Sequence, residues 1–112
     1  MSELKKIVER ELKEFEEELM TTETEKIVDS LLEDSLGIRI TASLVGGKWV
    51  IEEVEFTLTS GGPNIYLKVK DDGTICIDGW WGSEHYERCV YGLSRQLFEI
   101  LADYLEEQLC MD

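Results

Sequence analysis

The chain has 112 residues, a length typical of a single domain, and its apolar fraction of 43% is sufficient for one packed core. This composition excludes a disordered chain. Acidic residues outnumber basic residues by 25 to 11, which gives a net charge of −14. Because binding to nucleic acid or to an anionic membrane normally requires Lys and Arg, direct binding to either is not expected.

The N-terminal residues and the cysteines indicate a cytoplasmic protein. The first 15 residues contain no continuous apolar segment, and no stretch approaches the roughly 20 apolar residues of a membrane span. The three cysteines, Cys76, Cys89 and Cys110, have no close CxxC spacing, which argues against a disulfide framework and against a zinc site. We therefore expect reduced thiols and no cofactor.

Two amphipathic helices are predicted at the N-terminus. From Ser2 to Met20 the apolar residues recur every three or four positions, and a second apolar stripe runs from Ile27 to Leu36. Thr22, with Glu25 three residues later, predicts a capping box at the start of the second helix. Gly37 is a natural C-terminal stop for that helix.

After Gly37 the apolar period changes to two, which predicts an antiparallel meander. The turns are marked by glycine-containing dipeptides. Residues 85–90 form either a short fifth strand or the segment that leads into a last helix, which extends from about Tyr91 to about Cys110. The four other strands are predicted at residues 38–44, 48–59, 65–70 and 74–78.

Strands in the middle of the chain with helices at both ends predict one acidic α+β domain over residues 1–112. Its three helices are expected to pack on one face of the sheet. The other face is then open, and it is mixed in character rather than uniformly acidic. If alternation holds through each strand, the open face carries Arg39, Thr41, Ser43, Trp49, Ile51, Glu53, Glu55, Tyr66, Lys68, Lys70, Cys76, Asp78 and Trp80.

Most of the negative charge falls on the predicted helices, since residues 1–36 and 81–112 together carry −12 of the −14. One interpretation is a solvated surface that keeps the protein soluble. The other is a phosphate-like track, because duplex DNA carries one charge per roughly 1.7 Å and a helix rises about 1.5 Å per residue. The densest acidic segment contains Glu9, Glu11, Glu14, Glu16, Glu17 and Glu18.

Aromatic residues suggest a second interface. Trp80 and Trp81 lie in a predicted loop between Gly79 and Gly82, where they either close the end of the core or are exposed to a protein partner. Trp49 and Tyr66 on the open sheet face would extend such a patch.

His85 and Cys89 are the candidates for chemistry. Their spacing of four places them on one side of either a helix or a strand, but metal binding would require further ligands, for which Cys76 and Asp78 are the candidates. A catalytic Cys–His pair would require an orienting group and a cleft, and neither is recognisable. We therefore predict no metal site and no catalytic residue, and an enzyme centred on His85 is the weakest hypothesis.

Residues 53–63, EVEFTLTSGGP, followed by GWWG at 79–82, resemble the short "ELxLxTGGP … WG" pattern of small uncharacterised phage and prophage proteins. The resemblance covers about a third of the chain and implies an origin in a mobile element. It favours a counter-defence inhibitor of the anti-CRISPR or anti-restriction type.

The sequence thus favours an acidic, non-catalytic inhibitor that blocks a basic protein partner, specifically a nucleic-acid-binding enzyme whose basic groove it would occupy. The alternative is a small accessory domain that homodimerises through its open sheet face and has no catalytic activity.

Overall fold

The computed structural model describes residues 2–109, which form three helices and five strands. The helices are α1 (Glu3–Thr21), α2 (Thr24–Asp34) and α3 (Arg95–Leu109). The strands are β1 (Gly37–Val45), β2 (Lys48–Thr59), β3 (Asn64–Lys70), β4 (Ile75–Trp81) and β5 (Glu84–Val90). The predicted order of elements is confirmed, and residues 85–90 belong to a fifth strand. The predicted helix end near Cys110 lies outside the described residues.

The five strands form one antiparallel sheet in which each strand pairs with its neighbours in the chain. On one face of this sheet, α1 lies against β4 and β5, while α3 lies against β2, β3 and α2. This confirms the predicted α+β fold with its helices on one face. No helix within residues 2–109 is long and apolar enough to cross a membrane.

The core lies between the helices and the sheet. Phe56, Leu67 and Ile77 come from three successive strands and are buried against Val8 of α1 and Leu101 of α3. These side chains belong to one continuous cluster, to which α2 also contributes. Because every element except the two edge strands β1 and β5 contributes buried apolar residues, the helices and the sheet stabilise one another.

The connection between α1 and α2 differs from the prediction. The capping box is wrong because Thr22 caps the C-terminus of α1, where its backbone N–H donates to the Glu18 carbonyl oxygen at 2.9 Å. α2 begins at Thr24 and has no side-chain hydrogen bond at its N-cap. Gly37 does not end this helix either, because α2 ends at Asp34 and Gly37 is the first residue of β1.

A β-bulge shifts the alternation in the first half of β2. Thr41 pairs with Glu53, whereas Ala42 pairs with Ile51, so Glu52 is an extra residue in β2. An extra residue moves all residues beyond it to the opposite faces. Ile51 is therefore 2% exposed and belongs to the core, and its predicted place on the open face is wrong.

The same bulge places Trp49 on the face of the sheet opposite to the predicted one. Trp49 pairs with Leu44, two positions from the pair of Ala42 with Ile51, so it lies on the helix side of the sheet. The β1–β2 hairpin extends beyond the helices at this point, and Trp49 remains 54% exposed. The prediction that Trp49 shares the open face with Tyr66 is wrong.

Gly79 provides a test of the packing between α1 and the sheet. A Cβ atom at this position would lie 2.6 Å from Val8 Cγ2 and 2.9 Å from Leu4 Cδ1. We expect Gly79→Ala to lower the free energy of unfolding by about 1–3 kcal/mol, because the side chains of α1 must move. Urea unfolding followed by circular dichroism measures this loss.

Gly37→Ala is the matched control. Gly37 also lies in a strand, and a Cβ atom there would meet Thr57 Oγ1 at 3.5 Å, an ordinary van der Waals distance. We expect its unfolding free energy to stay within about 0.5 kcal/mol of wild type. Equal effects of the two substitutions would contradict the close approach of α1 to β4.

Candidate functional sites

The open face of β4 and β5 carries three consecutive cross-strand pairs, which we call the β4–β5 ladder. They alternate with residues of the helix-facing side, because successive side chains of a strand point to opposite faces. The pairs are Cys76 with Cys89, Asp78 with Glu87, and Trp80 with His85.

Asp78 is the centre of this ladder. Its side chain is 8% exposed although it lies on the open face, because neighbouring side chains cover it. Asp78 Oδ2 accepts from Trp80 Nε1 at 3.3 Å and lies 3.3 Å from Lys68 Nζ, while Oδ1 contacts His85 Nε2. The buried carboxylate is therefore both charge-paired and hydrogen-bonded, as burial of a charge requires.

Lys68 joins the two carboxylates of the middle pair. Its Nζ donates to Glu87 Oε2 at 3.0 Å in addition to its contact with Asp78. Burial lowers the pKa of Lys68, but its hydrogen bonds and charge interactions with Glu87 and Asp78 outweigh burial and raise the pKa above 10.5. Without this cation, two carboxylates directly opposite each other would repel.

The two tryptophans lie in β4 rather than in a loop, so the predicted loop at this position is wrong. Trp80 is on the open face, where its ring stacks on His85 with centroids 3.9 Å apart. Trp81 is on the helix-facing side, opposite Glu84. Both rings are less than half exposed, and they do not form a common patch.

Tyr66 lies on the open face as predicted, opposite Asp78. It contributes to an open basin in which positive and negative side chains alternate. The basin is lined by Arg39, Glu55, Tyr66, Lys68, Asp78 and Trp80. Of the predicted aromatic patch, the structure thus brings together only Tyr66 and Trp80.

The expected reduced thiols are not observed for Cys76 and Cys89, which form a disulfide bond. The two residues face each other directly across β4 and β5. The two cysteines can pair because residues 84–90 form a strand, which was one of the two alternatives that the sequence left open for residues 85–90. Disulfides persist mainly in oxidising compartments and in intracellular proteins of hyperthermophiles. The cytoplasmic location remains a prediction.

The helix side of the molecule contains a groove between α1, α2 and the sheet. Its volume is about 190 Å³. Its rim carries three carboxylates of α1, Glu11, Glu14 and Glu18, and Ser30 of α2. Its floor is apolar and consists of Phe15, Ile27, Leu31, Leu58, Leu67 and Ile77. We call this feature the acidic groove.

The six glutamates of the predicted acidic track do not lie on one side of α1. Glu11, Glu14 and Glu18 have the spacing of residues on one helix face, and all three line the acidic groove. Glu9 lies on the β5 side of the helix, where Glu9 Oε1 accepts from the Tyr86 hydroxyl at 3.1 Å. Glu16, seven residues after Glu9, lies on the same side of the helix and forms a second group with it. Glu17 is exposed.

Glu11 is a groove carboxylate whose ionised form is disfavoured by its surroundings. Its side chain is 31% exposed. Burial raises the pKa of Glu11 above 4.5, the negative charge of Glu14 raises it further, and Arg10 only partly opposes both effects. The free protein therefore holds this carboxylate in an unfavourable environment.

Replacement of Asp78 tests the ladder. Asp78→Asn removes the negative charge that pairs with Lys68. It also introduces an amide NH2 group, a donor, into a site where Trp80 Nε1 and Lys68 Nζ already donate. We expect it to lower the free energy of unfolding by about 1–3 kcal/mol. Asp71→Asn, in an exposed turn, should change this quantity by less than about 0.5 kcal/mol. Equal urea midpoints for the two variants would show that the contacts of Asp78 contribute nothing to stability.

Replacement of Glu11 tests the electrostatics of the groove. Since its folded-state pKa is raised, the ionised form is disfavoured by folding and stability is lost as the pH rises through that pKa. Glu11→Gln should therefore increase the unfolding free energy at about pH 7 by a few tenths of a kcal/mol after screening by solvent. This gain should vanish at about pH 4, where the carboxyl binds a proton.

Glu17→Gln, at an exposed position of α1, is the control for this measurement and should show no such pH-dependent gain. Urea unfolding at the two pH values provides the comparison. If Glu11→Gln destabilises the protein near neutral pH, the groove does not hold its carboxylate unfavourably.

No family model, curated protein or solved structure matches this chain. The resemblance of residues 53–63 and 79–82 to phage and prophage proteins therefore stays a prediction.

Proposed function

We propose that this chain is an acidic binding protein that sequesters a basic protein partner, whose Lys or Arg side chain enters the acidic groove. One observation carries the proposal: three carboxylates surround an open apolar cavity, and one of them has a raised pKa. A group that weakens the free protein is typical of sites kept for binding. A partner's cation would remove this unfavourable interaction.

The shape of the groove fits a single basic side chain. Lys and Arg place an apolar stem against apolar surface and keep the charged head in a polar environment. Here Phe15 and Leu31 would contact the stem, while Glu11, Glu14 and Glu18 would bind the head. A volume of about 190 Å³ is smaller than the roughly 300–1,000 Å³ of pockets for small-molecule ligands.

The charge around the groove adds attraction at longer range. Residues 1–36, which contain α1 and α2, have 12 acidic and 5 basic residues. Such a surface accelerates encounter with a positively charged partner and makes binding weaken with salt. The open face contributes less, because the charges of its ladder pair with one another.

The partner class that best fits is a nucleic-acid-binding enzyme with a basic groove. Together with the predicted mobile-element origin, this supports an inhibitor of the anti-CRISPR or anti-restriction type. A continuous imitation of the phosphate track along α1 is less favoured, because the six glutamates divide into separate groups around the helix. The insertion of one basic side chain requires only the three glutamates that line the groove, Glu11, Glu14 and Glu18. The net negative charge of the surrounding surface adds attraction at longer range.

The alternative, an accessory domain that homodimerises, also stays a prediction. The exposed apolar side chains favour the β1–β2 hairpin tip over the open face for such contact. Leu44, Val45, Trp49 and Val50 at this tip are between 42% and 60% exposed.

A triple variant, Glu11→Gln, Glu14→Gln and Glu18→Gln, tests the proposal. Wild type and variant are immobilised, and bound proteins from the source cell and from hosts of its mobile elements are quantified by mass spectrometry. We expect a basic protein that wild type retains at about 0.05 M salt and releases at about 0.5 M. The groove variant should bind it about tenfold more weakly or worse.

The matched control removes the same charge from α3 through Glu99→Gln, Asp103→Asn and Glu107→Gln, all at exposed positions. It should retain the partner nearly as well as wild type. Equal losses in both variants would show that only net charge matters and that the groove has no specific role. The captured enzyme is then assayed for DNA binding and cleavage, and full activity at saturating protein would contradict inhibition.

A further inference from the structure

The β4–β5 ladder contains a group of metal-ligand side chains that the proposed function does not use. One ligand atom each from Cys76, Glu87 and Cys89 lies within 4.8 Å of the others. Glu87 and Cys89 are two residues apart on one face of β5, and Cys76 is the cross-strand partner of Cys89. The sheet therefore holds three ligands on two adjacent strands without any loop.

The chemistry of these ligands selects a particular class of metal. Two thiolates and a carboxylate suit a thiophilic divalent ion such as Zn²⁺, whose bonds to sulfur are about 2.3 Å long. In a tetrahedral site the two sulfurs are then about 3.8 Å apart. The Cα atoms of Cys76 and Cys89 are 4.0 Å apart, a separation compatible with two sulfurs at this distance.

We propose that reduction of the disulfide converts this part of the ladder into a zinc site with Cys76, Cys89 and Glu87 as ligands and water as the fourth. A dithiol supplies two electrons and two protons and becomes a disulfide itself. A phosphine supplies two electrons and becomes a phosphine oxide, while water supplies its oxygen and the two protons. Either reductant yields two thiols. Zinc then displaces both thiol protons as it binds. The disulfide and the metal-bound state are mutually exclusive, because both use the same two sulfurs.

Lys68 positions the carboxylate of this site. Its Nζ donates to Glu87 Oε2 at 3.0 Å and leaves Glu87 Oε1 for the metal, as outer partners of ligating carboxylates do. His85 is not in the ligand set, although its spacing from Cys89 made it a candidate in the sequence. Its Nε2 contacts Asp78, and its ring stacks on Trp80.

Cobalt binding to the reduced protein tests the site. Every protein carries Cys110→Ser, so that Cys76 and Cys89 are the only thiols. After anaerobic reduction with a phosphine and desalting, Co²⁺ is titrated and its sulfur-to-metal charge-transfer absorption is recorded. We expect one ion per chain, displaced by Zn²⁺, and no such band in the oxidised protein. Cys89→Ser should abolish the band.

Glu87→Gln and Glu84→Gln distinguish a metal site that includes the Glu87 carboxylate from metal binding to the two thiols alone. Both glutamates lie in β5, but Glu84 is on the opposite face of the sheet. Glu87→Gln should weaken cobalt binding about tenfold or more, whereas Glu84→Gln should leave it unchanged. Equal affinity in both variants would assign the metal to the thiols alone, as in an unfolded chain, and would overturn the proposal.

Absence of the charge-transfer band in the reduced protein would also overturn the proposal. The site lies on the face opposite the acidic groove, so either result leaves the proposed binding function unaffected.

Discussion

The direct contact of α1 with the backbone of β4 at Gly79 determines where both candidate sites lie. Leu4 and Val8 occupy the space that a side chain at Gly79 would need. This contact fixes α1 over β4 and β5, and the acidic groove forms where α1, α2 and the sheet leave space between them. The ladder lies on the opposite face of the same strand. Ile77 is part of the groove floor, and the next residue, Asp78, is the centre of the ladder.

Most of the fold could be predicted because its strands and helices have clear periodicities. The alternation of Ile65, Leu67 and Val69 with polar residues places β3 correctly, and the stripe of α1 is buried as expected. The bulge at Glu52 could not be predicted, since an extra residue within a run of mixed polarity leaves no clear signal. This single residue changed the face assigned to Trp49.

The ladder could have been found from the sequence by pairing residues at equal distances from Gly82 and Ser83. A two-residue turn fixes the register of the two strands it joins. This register places Cys76 opposite Cys89 and Asp78 opposite Glu87 once β5 is accepted as a strand. The groove could not be predicted in this way, because it depends on the position of α2 relative to α1. The helical spacing of Glu11, Glu14 and Glu18 was visible, but their apolar floor was not.

The disulfide makes the two edges of the sheet unequal. β5 is joined covalently to β4 and covered by α1, whereas β1 is held mainly by its hydrogen bonds to β2. Its side chains at Ile38 and Leu44 are 41% and 60% exposed. We therefore expect local opening of the sheet to begin at β1, the edge without a covalent tie. Such opening starts at the edge farthest from β5, so the paired side chains of the ladder lie at the protected end of the sheet.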